Sequence, residues 1–420
     1  MTVSISRRAL LSSLATTAAA ATLLPHTARC AFAAAPSGEP IVIGHQCELT
    51  GWDAATGYWR NLAATKLCDW INQNGGIAGR PVKLVTVDTK SDVDVGVDQL
   101  RNLMLKENVD FIIGSELSSV ALASAKLANE NKTLYLTMST GAVTTSGANA
   151  VPYQFRLTTN SAAESIGASR KYVDVVGKKW TILYVDYAWG QSERDWWTKG
   201  IEAAGGEVTK PVALPMDAQD LFPYIGQLAR SVDGIYIPVL NTLQVLQTIR
   251  SAGLSQKIVL AGLSFSLFDY RELREAGEDV YGNELAPVRL KDLEGTHMPA
   301  IYEALGIDEN GIETASGKVA GSSMLVGIAQ TLGFLRENVE KSGWKSRADT
   351  AALIKHAESV PTYSKGPLFP MGDITMRPQD HQAFMDLYLV RVQDGQLVKS
   401  EVVPRDLTVY DADVDLTKAG

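Results

Sequence analysis

The chain carries 420 residues with a formal charge of −8, and 20% of them are charged. That length exceeds one comfortable hydrophobic core, so two lobes are expected. A negative balance without runs of like charge excludes nucleic acid and an anionic membrane surface as partners. Beyond the N-terminus no stretch is apolar for long enough to span a bilayer.

Ser6-Arg7-Arg8-Ala9-Leu10-Leu11 opens a mildly apolar, alanine-rich run to Leu24. Paired arginines before a short, weak apolar segment match a twin-arginine export signal. Ala31-Phe32-Ala33 supplies an A-x-A cleavage site, so residues 1–33 read as a signal peptide and the mature chain as a periplasmic protein starting near Ala34. Arg29 occupies the place where a lipoprotein box before Cys30 needs a small residue.

Residues 41–44 read as a buried strand and 57–73 as a helix, stopped by Asn74-Gly75-Gly76 with Pro81 beyond. A strand over 82–87 and a helix over 93–107 follow. Phe111-Ile112-Ile113-Gly114 and Leu134-Tyr135-Leu136 are short, uniformly apolar runs, the pattern of parallel strands buried on both faces. Small hydroxyl residues follow each run. Ser118 and Ser119 read as N-cap residues for a helix over 120–129. Two neighbouring strand ends thus bring Ser118, Ser119, Ser139, Thr140 and Gly141 to one edge. Open α/β sheets bind ligands at that edge, and helix N-termini there favour an anionic group; ordinary caps and turns account for the same pattern equally well. After an extended stretch over 154–157 and a crossing over 158–161, the rhythm restarts. Helices over 162–176, 191–204, 221–230 and 242–252 alternate with strands over 180–185, 207–214, 234–237 and 258–261. Helices over 317–341 and 348–358 come next, then strands over 383–392 and 397–403 joined at Asp394-Gly395, a hairpin signal. The fold class is α/β, with two Rossmann-like lobes built on parallel central sheets.

The chemistry-bearing residues are sparse. On the helix over 57–73 the apolar face is Trp59, Leu62, Ala63, Leu67, Trp70 and Ile71, and Cys68 lies off it, so a bridge to Cys47 is not expected. His45, His297, His356 and His381 are scattered, which points to no metal site, and no cofactor motif stands out. The glycines of the segment 311–318 are separated by five residues, and Val319 stands where a P-loop needs Ser or Thr. No G-x-S-x-G elbow occurs. Trp52 and Trp189, in glycine-containing loops beside strand ends, suit ligand platforms. Tyr187 is balanced between pocket and packing. Asp53 and Asp186 could meet a cation but suit a cap or turn at least as well.

Ile71-Asn72-Gln73-Asn74-Gly75-Gly76-Ile77-Ala78-Gly79-Arg80-Pro81 resembles the signature of type I periplasmic solute-binding proteins, the branched-chain amino acid, amide and urea receptors of ABC importers. Ile113-Gly114 with Ser118-Ser119, residues 137–141, Asp186-Tyr187-Ala188-Trp189-Gly190, Ser251-Ala252-Gly253-Leu254 and Arg377-Pro378-Gln379-Asp380 resemble further segments of that family, in the family's order. The resemblance covers essentially the whole mature chain. It implies two lobes joined by three crossings, near 157–160, 286–288 and 363–366, that close on a solute. The lobes would then be 34–158 plus 288–365 and 159–287 plus 366–410, followed by a tail over 411–420.

The resemblance also implies ligand-binding roles. Ser118 and Ser119 match the loop that holds a ligand carboxylate. Ser139, Thr140 and Gly141 match the second loop, with Gly141 where amino-acid receptors tend to carry a threonine. Tyr187 and Trp189 match the loop of the second lobe that supplies a pocket aromatic. Trp52 and Thr56 lie in the first strand–helix loop, and Ser264 and Phe265 follow the strand ending at Ala261. Amino-acid receptors carry a carboxylate there for the ammonium group, and this chain has no Asp or Glu between Ala261 and Leu267. The expected function is capture of a small amino acid, amide or carboxylate by a monomer that delivers it to an ABC permease. The alternatives are a ligand-sensing subunit with the same lobes and, in a different class, an exported enzyme, which would need a nucleophile–base pair that is not apparent.

Overall fold

The computed structural model describes residues 35–266, 268–277 and 279–418; the expected signal peptide and its cleavage site lie outside them. The chain begins β1 (Ile41–Cys47), α1 (Ala54–Gln73), β2 (Val82–Asp88), α2 (Val93–Leu105), β3 (Phe111–Gly114), α3 (Ser118–Glu130), β4 (Leu134–Thr137) and β5 (Gln154–Arg156). A second series follows: α4 (Ser161–Val176), β6 (Lys179–Val185), α5 (Ala188–Ala203), β7 (Glu207–Val208), β8 (Val212–Leu214), α6 (Phe222–Ile225), β9 (Gly234–Ile237), α7 (Thr242–Ser251), β10 (Lys257–Leu260) and β11 (Val280–Glu284). Then come α8 (Met298–Leu305), α9 (Ser322–Ser342), α10 (Thr350–Glu358), β12 (Thr362–Tyr363), β13 (Ile374–Arg377), β14 (Gln382–Phe384), β15 (Leu387–Gln393) and β16 (Gln396–Val403).

Two sheets result, one per lobe. The first has the order β12-β13-β14-β5-β4-β3-β1-β2 and the second β16-β15-β11-β10-β9-β6-β7, with β8 beside β6. Their centres are parallel, and antiparallel pairs close one edge of each. Period-two alternation explains why β3 and β4 are apolar throughout. Phe111, Ile113, Leu134 and Leu136 pack with α1 and the almost wholly buried α9, whereas Ile112 and Tyr135 pack on the other face against α2 and α3.

Several local expectations shift for identifiable reasons. Helix α1 begins at Ala54, and Gly57 in its first turn lets the helix lie directly on the Glu48 carbonyl, where a Cβ would overlap it. Cys68 is buried in the first core rather than off the packed face, and Cys47 and Cys68 are free thiols. Helix α3 starts at Ser118, with Leu117 as its N-cap residue. The N–H of Leu117 goes to Ser115 Oγ at 3.2 Å and that of Glu116 to the Glu48 carboxylate at 3.4 Å, so the two serines are not caps. The strand expected over 207–214 is split into β7 and β8, with Pro211, which has no N–H to give a ladder, between them. The helix expected over 221–230 shortens to α6.

The largest correction concerns the third crossing. The chain leaves the first sheet after Arg156, leaves the second after Glu284, and crosses again between Phe384 and Leu387. That is well beyond the expected 363–366, and it places β13 and β14 in the first sheet rather than the second lobe. The run expected as one strand over 383–392 is two strands, broken at Met385 and Asp386, where the Asp386 carboxylate accepts the Arg405 N–H at 2.8 Å. Gln382 ties the first and third crossings together: its Oε1 accepts from Arg156 (3.1 Å) and Asn160 (2.8 Å), and its Nε2 donates to the Thr158 carbonyl (2.8 Å).

Beyond β16 the chain straps this region. Tyr410 accepts a hydrogen bond on its hydroxyl from Asn160 at 2.7 Å and on its carbonyl from Arg377. The Arg377 guanidinium lies 4.4 Å from the Tyr410 ring centre, and the Trp196 and Phe384 rings flank it at 5.5 and 5.7 Å. Asp413 accepts the Gly147 N–H at 3.1 Å. Among the described residues no helix is long and apolar enough to cross a membrane.

Candidate functional site

The carboxyl ends of the parallel strands of both sheets surround one small cavity, as expected for open α/β sheets. After β1 come Asp53 and Thr56, after β3 Glu116 and Leu117, and after β4 Thr140. The other lobe brings Tyr187 and Trp189 after β6, Leu240 after β9, and Gly262 and Leu263 after β10; Met324 of α9 completes the lining. The cavity holds about 30 Å³, room for about two waters. The two walls therefore meet closely.

The first wall is polar and charged. Asp53 is 7% exposed, and its Oδ2 has no hydrogen-bond partner among the described residues. Thr56 donates its hydroxyl to the Asp53 carbonyl at 2.8 Å. Glu116 forms an ion pair with the buried Arg60 of α1. Behind them the fully buried Glu48 accepts from Ser115 Oγ. Burial, with Glu48 and Glu116 nearby, holds the Asp53 carboxyl well above the usual carboxylate range. Burial likewise pushes Glu116 up to about 7, against the pull of Arg60.

Behind the second wall lie three more buried acids. Glu164 of α4 accepts from Asn283 Nδ2 at 3.2 Å, and its carboxylate occupies the space a Cβ at Gly262 would fill. Glu193 accepts from the Tyr236 hydroxyl at 2.6 Å. Glu284 accepts from Ser266 Oγ at 3.0 Å and from Ser323 Oγ. Burial raises Glu164 to about 8 and Glu284 to about 7, and lifts Glu193 well above the ordinary carboxylate range. Among the described residues no group of three or more His, Cys, Asp or Glu side chains is placed to hold a metal ion.

A family model described as "Periplasmic binding protein" matches residues 40–396. The chain belongs to the periplasmic binding protein family. That family and fold are those of substrate-binding proteins rather than enzymes, and the family's place is the periplasm. The Leu/Ile/Val-binding protein homolog 4 of Brucella melitensis is 23% identical over 382 residues, covering 88% of each chain. Among solved structures, a solute-binding protein of an ABC transporter from R. palustris in complex with benzoate superposes with a TM-score of 0.74 at 19% identity, covering 87% of this chain and 97% of that one. A branched-chain amino acid transporter substrate-binding protein from Streptococcus pneumoniae in complex with isoleucine gives 0.69 at 18% identity, covering 87% and 100%. These structural likenesses carry the fold.

In this periplasmic binding protein, Thr56, Thr140, Tyr187 and Trp189 of the expected residues line the cavity. Ser118 and Ser139 do not; they are buried beside it and bond each other, Oγ to Oγ, at 2.7 Å. Ser119, half-buried on α3, is outside the lining. Gly141 lies against Ser118, where a Cβ would stand 2.6 Å from its Oγ. Trp52, 44% exposed, is not part of the wall but meets Tyr187 edge-on at 6.0 Å. Ser264 and Phe265 are buried behind Leu263, and Phe265 belongs to the second core, against Phe268 and Gly282.

Asp53, weighed from the sequence as a cation contact or a cap, lines the cavity; the lining residues not anticipated are Glu116, Leu117, Leu240, Gly262, Leu263 and Met324. Glu116 follows a strand end, a signal that could have placed it. Met324 is brought in by α9, remote in sequence, and had none.

Proposed function

We propose that this periplasmic binding protein is exported through the twin-arginine route, loses residues 1–33, captures a small organic solute between its lobes as a monomer, and hands it to the permease of an ABC importer. The first lobe is taken as residues 34–158 plus 288–384 and the second as 159–287 plus 387–403. The observation that carries the reading is the cavity whose wall comes from strand ends of both sheets. A solute there touches both walls at once, so occupancy and closure are linked.

The apolar part of the wall, Leu117, Leu240, Leu263 and Met324 with the Trp189 ring, suits a small apolar or aromatic body. Amino acids, amides and small carboxylates with such a body form the solute class. Calorimetry with leucine, isoleucine, short amides and benzoate, followed by solution scattering, tests the reading. At least one solute binds, and the scattering profile changes on saturation. Identical profiles with and without a saturating solute overturn closure as the working motion.

A further inference from the structure

Resting on that reading, we propose that the solute carries a cationic nitrogen, seated against Asp53 and Glu116 of the first lobe beneath the rings of Tyr187 and Trp189. The starting point is the cavity's charge. Both ionisable carboxyl side chains in its lining belong to the first wall, and neither lysine nor arginine lines it. Asp53 is more than nine-tenths buried, and its Oδ2 is left without a partner. An acceptor buried in that state is costly unless something donates to it. Arg60 does not fill the role: it pairs with Glu116, no hydrogen bond from it reaches Asp53 Oδ2, and it lies outside the lining.

Part of what would receive an anion is already engaged. The Ser118 and Ser139 hydroxyls bond one another, and the Glu48 carboxylate takes the N–H of Glu116 just ahead of α3.

The aromatic arrangement supplies the second half of a cation site. Tyr187 and Trp189 line the cavity with ring centres 6.1 Å apart, and Trp52 meets Tyr187 from outside. Ring faces next to carboxylates attract ammonium groups, most strongly where water is excluded. Closing the lobes brings the rings of the second wall over the acids of the first. A cation is thus the group that both walls favour together.

Benzylamine and benzoate form a size-matched pair that tests this on the unaltered mature protein, with trimethylbenzylammonium and benzamide as further members. Calorimetry should show the two cations binding at least ten-fold more tightly than benzoate and benzamide. Asp53→Asn should weaken the cations at least ten-fold while leaving the melting temperature of the free protein within a few degrees. Glu116→Gln, which also disturbs Arg60, serves as the second variant. Failure of both cations at millimolar concentration, or cation binding unmoved by Asp53→Asn, overturns the proposal. Binding of benzoate or benzamide in their place, with a change in scattering, overturns the cation while leaving the receptor reading standing. Binding by no member of this panel or of the amino-acid and amide panel sinks both.

Discussion

The two walls of the cleft bury the same kind of side chain in opposite company. In the first lobe Glu48, Asp53 and Glu116 lie around one guanidinium, Arg60, which pairs with Glu116. In the second, Glu164, Glu193 and Glu284 are held by an asparagine, a tyrosine and two serines, and among the described residues no lysine or arginine is bonded to them. A buried carboxylate beside a cation can keep its charge, whereas one among neutral donors in a low-dielectric setting keeps its proton. Burial lifts the acids of both walls in the free protein, so what separates them is placement: Asp53 and Glu116 line the cavity, where an arriving cation favours their charged form, and the second wall offers neutral, largely apolar surface.

The contrast breaks most visibly at Arg60. Arg60→Met leaves Glu116 buried without its ion partner, a change that costs about 3–5 kcal/mol. Glu193→Gln removes no charge if its proton is already in place and should cost about 1 kcal/mol or less. Denaturant unfolding of both variants measures the difference, and equal losses would mean that the walls are not distinct.

A pH series reads what the two walls share, since burial raises Glu116 of the first as well as Glu284 and Glu164 of the second. Glu284 has an ordinary value of 4.5 and sits at about 7 in the folded protein, because burial penalises its charged form. Between those values the folded state keeps a proton that the unfolded chain releases, so raising the pH costs stability. The contribution is complete below pH 4.5 and is lost as pH rises through about 7, amounting to about 3 kcal/mol for this group. Glu164, at about 8, extends the loss in the same direction. The ligand-free protein should melt higher at pH 5 than at pH 8, and Glu284→Gln should flatten that slope. A steeper slope in the variant than in the parent would reverse the assignment.

Smaller effects separate the ring from the hydroxyls. Trp189→Ala should weaken solute binding by roughly 1–3 kcal/mol with the fold intact, as for one lost aromatic wall. Lost stability with normal binding would make Trp189 a packing residue. Ser118→Ala should cost about 1 kcal/mol of stability through the bond to Ser139 and leave affinity within a factor of a few. A ten-fold loss of affinity would return Ser118 to the site.

Much of the architecture was legible because it rests on local patterning. The unbroken apolar runs of β3 and β4, the glycines that end α1, and the restarted alternation after Arg156 each report on neighbouring residues. The misreadings share a different cause. The third crossing hangs on Gln382, whose partners Arg156, Thr158 and Asn160 are remote in sequence. The serines that open α3 look like caps until the helix is seen to start at Ser118 with Leu117 as its N-cap, and Glu48, from another strand end, takes the N–H of Glu116. The stretch after β10 has no acid of its own, yet Gly262 leaves room for the Glu164 carboxylate. A missing side chain that admits a distant one leaves no local mark.

The strap formed by Tyr410 has a practical side. It joins Asn160, at the first crossing, to Arg377 in β13, so it sits at the crossings rather than on either wall of the cavity. If the lobes close as proposed, a reporter dye placed there would stay nearly still. A biosensor built on this scaffold would need its dyes far from the strap, one on each rim, and its surface attachment made away from residues 405–416.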